Sequence, residues 1–105
     1  GTATPFNDEM EAIALSRLGL QNVPVNSLKG FYGHTLGASG LLETVIAIES
    51  ANQNMLFESK GFDEMGVSEP INVIEKNEEK TIDFFLKTAS GFGGCNTAVV
   101  FEKVK

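Results

Sequence analysis

A chain of 105 residues with a formal net charge of −6 and 42% hydrophobic content has material for one domain, or part of one, with a modest core. The acidic balance leaves no basic stripe to neutralise phosphates, which argues against nucleic acid and anionic membrane surfaces as partners, and no apolar run approaches the roughly 20 residues that span a bilayer. The single cysteine and single histidine rule out an internal disulfide, suit a reducing, cytoplasmic setting, and cannot furnish a metal site such as zinc by themselves.

In chain order, Gly1 to Asn7 reads as a Gly/Thr/Pro loop. Asn7 or Asp8 is placed to cap a short amphipathic helix with Met10, Ile13, Ala14, Arg17 and Leu18 roughly on one face, and Gly19 is placed to end it. Capping accounts for the acidic start better than catalysis does. Val23 to Leu28 alternates apolar and polar residues and predicts a short strand, with Pro24 near its beginning.

The stretch Lys29-Gly30-Phe31-Tyr32-Gly33-His34-Thr35-Leu36-Gly37-Ala38-Ser39-Gly40 is the most informative in the chain. It reads as a loop between that strand and a helix start, presenting Lys29 and His34. The glycines permit positive φ and close approach of another group. A helix start adds unpaired N–H groups and partial positive charge, so the loop favours an enolate, oxyanion or carboxylate. Residue types alone leave open a plainer reading, a tight connection in which His34 is a hydrogen-bonded, semi-buried side chain.

A helix is predicted from about Ala38 to Asn52. Leu41, Leu42, Val45, Ile46, Ala47 and Ile48 cover more than one stripe, which predicts a helix buried between layers. A chain this small cannot cover both faces of such a helix. Together with the start at Gly1, without an initiator methionine, this predicts a fragment of a larger protein. Glu43 lies one turn into the helix and needs a partner there; Lys29 is one candidate, and capping of the helix start by Glu43 is the other.

Residues 53–70 read as an irregular surface loop, Ile71 to Ile74 as a brief strand, and Glu75 to Lys80 as a mixed-charge turn. Thr81 to Thr88 and Thr97 to Phe101 are predicted strands of a hairpin closed by Ser90-Gly91-Phe92-Gly93-Gly94. A turn is the default role for that loop. Its glycines also suit close approach to a ligand, and Phe92 at the tip could line a pocket. Cys95 is better explained as a small buried residue starting a strand than as a thiolate partner of His34.

Three blocks occur in order: Gly1-Thr2-Ala3-Thr4-Pro5-Phe6-Asn7-Asp8; Lys29-x4-His34-x2-Gly37-Ala38-Ser39-Gly40; and Gly91-Phe92-Gly93-Gly94-x-Asn96. Together they resemble the C-terminal part of β-ketoacyl-acyl-carrier-protein synthases, and the match spans essentially residues 1–105. The resemblance implies an α/β fold, the C-terminal portion of a thiolase-like architecture, with a mixed sheet packed against the apolar helix. It implies an acyltransferase of the 3-oxoacyl-ACP synthase type, which joins an acyl thioester held on a cysteine to malonyl-ACP with loss of carbon dioxide. The nucleophilic cysteine and a first histidine would lie before Gly1, in a missing N-terminal half, so the fragment alone is expected to be inactive. His34 matches the second histidine, Lys29 the family lysine, Glu43 its paired carboxylate, and Thr2 and Thr4 the threonines on the phosphopantetheine arm. The loop Ser90, Gly91, Phe92, Gly93 and Gly94 would line the site. No resident cofactor is implied, because phosphopantetheine arrives on the acyl carrier protein; the full-length enzyme would be a homodimer. One departure stands out: Ser90 replaces the usual aromatic gate residue, which hints at an unusual acyl chain. Two other classes compete. A nucleotide- or CoA-binding module would use the Gly33–Gly40 loop, but the P-loop ending and the Gly-x-Gly spacing are absent. A non-catalytic interaction domain would be favoured if no cysteine-bearing half preceded Gly1.

Overall fold

The computed structural model describes Thr2, residues 4–62 and residues 66–104. Gly1 and Ala3 of the expected first loop, and 63–65 of the irregular stretch, lie outside the described residues. In chain order the elements are α1 (Pro5–Arg17), β1 (Pro24–Val25), α2 (Lys29–Tyr32), a 3-10 turn (Leu36–Ala38), α3 (Ser39–Gln53), β2 (Met55–Leu56), β3 (Asn72–Val73), β4 (Glu78–Glu79), β5 (Phe84–Ser90) and β6 (Asn96–Glu102). They fall into two compact units, Gly1–His34 with Phe57–Asn77, and Thr35–Leu56 with Glu78–Lys105.

In the first unit, α1 begins earlier than the acidic residues suggest. Thr4 is the extended N-cap residue and Pro5 takes the first turn, where its missing N–H is no loss and its fixed φ suits a helix. Asp8 is therefore inside the helix, where its carboxylate accepts the Thr2 N–H at 2.8 Å. Gly19, at φ +73, follows the helix end as expected. β1 is shorter than the predicted 23–28 strand and pairs in parallel with β3, Pro24 opposite Asn72 and Val25 opposite Val73. Ile74 continues this frame, its N–H donating to the Val25 carbonyl at 2.8 Å. Among the described residues of this unit, Ala12, Leu28 and Ile74 are the buried apolar ones.

In the second unit, α3 starts one residue later than predicted and ends at Asn54, which adopts the left-handed conformation. Lys103 places its ammonium on the Ala51 carbonyl at 3.0 Å and the Asn54 side-chain oxygen at 3.1 Å, a cation at the negative end of a helix. Two strands went unanticipated: β2 and β4 pair antiparallel, Met55 with Glu79 and Leu56 with Glu78. Neighbouring glutamates disfavour a strand locally. The pairing is set by Asn54, whose carbonyl and side chain receive the N–H groups of Lys80 and Ile82. The hairpin β5–β6 runs in register from Phe84 opposite Glu102 to Ser90 opposite Asn96. Phe85 and Phe101 stack across it with ring centroids 4.8 Å apart. α3 packs on β5 and β2. Both parallel and antiparallel pairings occur, and among the described residues the strands pair as three two-stranded ladders.

α3 is not enclosed. Leu41, Val45 and Ile48, one stripe of the helix, are 73%, 54% and 43% exposed. Phe84, Leu86 and Val100 form an exposed apolar face of the hairpin. The expectation of a buried helix fails because, among the described residues, nothing covers its second stripe, the shortage of material anticipated from the chain's length. No described helix is long and apolar enough to cross a membrane.

Exposed apolar stripes of this kind favour association. The isolated 105-residue chain is expected to self-associate as its concentration rises, read by light scattering; a clean monomer throughout would contradict this. A second expectation concerns Glu9, whose carboxylate is held below its ordinary titration range by the Ser68 hydroxyl and then by the Ser68 backbone N–H. A carboxyl favoured in its ionised form when folded contributes stability above its ordinary pKa and loses it as pH falls through the lowered value. In Ser68→Ala the Glu9 carboxyl should titrate at higher pH by NMR, and an unmoved titration would remove the Ser68 hydroxyl as a cause.

Candidate functional site

The Lys29-to-His34 segment is not a plain loop. Leu28 is buried, and from it the chain makes the single helical turn α2, with Lys29 at its first position. The turn is built on the first unit's frame. The Ser27 N–H donates to the Ser59 hydroxyl at 3.1 Å, the Asn26 amide to the Phe57 carbonyl at 2.8 Å, and the Ser59 N–H to the Ile74 carbonyl at 2.8 Å. Gly30 lies so close to this frame that a Cβ would sit 2.1 Å from the Lys60 carbonyl oxygen. The Lys60 ammonium in turn lies over the Phe31 ring, 5.5 Å from its centroid. Gly33 closes the turn by donating to the Lys29 carbonyl at 2.7 Å. Its φ of +82 and ψ of −178 belong to a region essentially reserved for glycine. Lys29 is half-buried and His34 is exposed.

Past His34 the second unit begins with a feature that residue patterns did not indicate. Leu36 has φ +52, an unusual conformation for a residue with a branched side chain. The Thr35 hydroxyl is buried without a hydrogen-bond partner, an atom of the kind that ordered water or a bound group satisfies. The Ala38 N–H donates to the Thr35 carbonyl at 3.2 Å and the Ser39 N–H to the Leu36 carbonyl. N–H groups at the entry to α3 are therefore engaged by the 3-10 turn, which weakens the phosphate-cradle alternative for the Gly33–Gly40 loop.

Glu43 is held within the second unit. Its Oε2 lies 3.5 Å from the Lys87 ammonium, and the Ser39 hydroxyl donates to the same oxygen at 3.4 Å. Lys87 was not singled out from sequence; the signal available was a cation in the alternating pattern of a predicted strand. In the hairpin, Ser90 ends β5 opposite Asn96. Gly91 donates to the Cys95 carbonyl at 2.7 Å, and Gly93 and Gly94 take φ of +79 and +83. Phe92 at the tip is 97% exposed. Cys95 is exposed too, contrary to the expected buried cysteine, because it ends the glycine turn before β6 begins. Near the start of the chain, the Thr2 hydroxyl accepts from the Asn7 amide and the Thr4 N–H, both at 3.3 Å, while Thr4 is exposed. No group of three or more His, Cys, Asp or Glu placed to hold a metal occurs among the described residues.

The chain belongs to the beta-ketoacyl synthase family, whose C-terminal domain model matches residues 1–63. It is similar to 3-oxoacyl-(acyl-carrier-protein) synthase 2 of Vibrio cholerae, 32% identical across 99% of this chain and 27% of that protein. It is also similar to a polyketide biosynthesis malonyl-ACP decarboxylase of Bacillus subtilis, 31% identical across 100% of this chain and 25% of that protein. A crystal structure of a beta-ketoacyl synthase from Burkholderia phymatum STM815 matches with a TM-score of 0.91 at 29% identity, over 100% of this chain and 26% of that one. The fold is accordingly the C-terminal portion of a thiolase-like α/β architecture, and the chain spans about a quarter of the length of the relatives it matches.

Gly30→Ala should destabilise the protein by about 1–3 kcal/mol, because backbone must move to admit the methyl group. Gly37→Ala, with open space around the added carbon, should change stability by less than about 0.5 kcal/mol. Urea unfolding of the two variants side by side checks this.

Proposed function

We propose that residues 1–105 are the C-terminal part of a β-ketoacyl-ACP synthase, an acyltransferase that condenses an acyl thioester with malonyl-ACP. The observation that carries the reading is the Lys29–His34 turn, held by a frame that only glycine at positions 30 and 33 permits, in a chain that matches the family along its length. In the reaction, the bond between the malonyl carboxylate and its α-carbon breaks and carbon dioxide leaves. The electron pair moves toward the thioester carbonyl as an enolate. The carbanion then attacks the acyl group on the nucleophilic cysteine, expelling the thiolate. That cysteine belongs to protein beyond this chain.

Each residue has a role in this scheme. His34, exposed on its turn, donates an N–H to the thioester oxygen as negative charge builds there. Lys29 adds positive charge, and Glu43 supplies the counter-charge that a cation needs away from water. Thr2 and Thr4 contact the phosphopantetheine arm of the acyl carrier protein, the partner implied. Residues Ser90, Gly91, Phe92, Gly93 and Gly94 border the acyl site, and the small Ser90 opens room for an unusual chain. The complete enzyme is proposed to act as a cytoplasmic homodimer, with the exposed stripes of α3 and β5–β6 covered by the rest of the protein. By itself the 105-residue chain is proposed to be inactive. No metal or resident cofactor enters the scheme.

The Bacillus relative's name, a malonyl-ACP decarboxylase, supports a narrower reading in which the complete protein stops at decarboxylation. The two differ in product, a β-ketoacyl thioester or acetyl-ACP, and a product assay separates them. Both depend on His34. In the complete protein, His34→Ala should lower malonyl decarboxylation by about 10²–10³-fold, the usual loss for one oxyanion donor, while acyl transfer to the nucleophile partly survives. Unchanged decarboxylation would remove His34 from the mechanism.

A further inference from the structure

We propose that Lys87 is a positioning residue of the condensing site, acting on Glu43 from β5. The inference rests on the reading of Glu43 as a site carboxylate. Along β5, Phe85, Lys87 and Ala89 are the half-buried positions of an alternating strand, and this strand packs on α3. An apolar side chain is the ordinary occupant of a middle inward position, because a cation there gives up hydration. Lys87 meets that cost through specific contacts. Its ammonium pairs with Glu43 Oε2 at 3.5 Å and donates to the Thr88 carbonyl. The Lys87 and Glu43 side chains are only 18% and 11% exposed.

The arrangement also fixes direction. Ser39, itself buried, donates its hydroxyl to the same Oε2. One carboxylate oxygen is thus held from its own helix and from the facing strand. The other elements packed on α3 are the 3-10 turn Leu36–Ala38 and β2, Met55–Leu56, and neither carries a charged side chain. Lys87 thus places a cation on the oxygen that Ser39 also holds and restrains the direction of the carboxylate. Loss of the lysine removes the cation from that oxygen and loosens the hold on the carboxylate from the β5 side.

The test uses the complete protein and compares Lys87→Met, Lys87→Arg, Glu43→Gln and the double variant Lys87→Met/Glu43→Gln in malonyl decarboxylation. Lys87→Met should lower kcat about tenfold with KM nearly unchanged, as misplacement of a site group does. Lys87→Arg should restore most of the loss. The double variant should be no slower than Glu43→Gln alone, because both changes remove one device. Lys87→Gln, which keeps a donor without the charge, should give the same loss and serves in place of Lys87→Met if that variant does not fold. Unaltered kcat in Lys87→Met or Lys87→Gln, or losses that add in full with Glu43→Gln, would overturn the role of Lys87. Full activity in Glu43→Gln would instead overturn the reading of Glu43, and the role of Lys87 with it; His34→Ala tests the condensing reading separately.

Discussion

Two missing side chains hold the histidine turn in place. Residue 30 passes against the Lys60 carbonyl at a distance no Cβ can share, and residue 33 adopts a conformation that side chains exclude. Between them the chain turns once as α2 and leaves Lys29 half-buried and His34 exposed. The frame behind the turn is polar and specific: the backbone of Ser27 and the amide of Asn26 each bond to the segment at 57–59. A turn anchored on backbone groups this way keeps its shape without a large core, which matters in a unit whose buried apolar residues, among those described, are Ala12, Leu28 and Ile74.

The second unit solves a different problem. Its helix is more apolar than the material around it can cover, so one stripe packs on β5 and β2 and another stays wet. Within the packed side sits an ion pair, Glu43 with Lys87, where side-chain area alone would favour apolar contact. A buried pair of this kind adds little net stability; its value lies in fixing where a charge stands. The open stripe is apolar surface left uncovered within the unit, and the internal pair is charge held inside its packed side.

Local chemistry made much of this legible. Gly19 ends α1, the β5–β6 hairpin closes through Gly93 and Gly94 at positive φ, and the apolar run after Ser39 is a helix. The beginning of α1 was misjudged because Asp8 looks like a cap while Pro5, three residues earlier, is equally at home in a first turn. β2 and β4 were illegible for a plainer reason. Two residues carry no periodicity, and consecutive glutamates form a strand only when Asn54 supplies the bonds that seat them. Cys95 was expected to be buried by its residue type, and its exposure follows from the turn that precedes β6.

The amino-acid order by itself determined the family, the glycine turn that carries Lys29 and His34, and the excess of apolar surface on α3, because spacing and residue type report short-range geometry directly. Only the tertiary structure decided which backbone presses on Gly30, which residues stay wet, and that Glu43 is met by Lys87, forty-four positions away along the chain. Those outcomes depend on contacts between segments remote in sequence, and charge pairing across such a separation leaves no periodic trace in either segment.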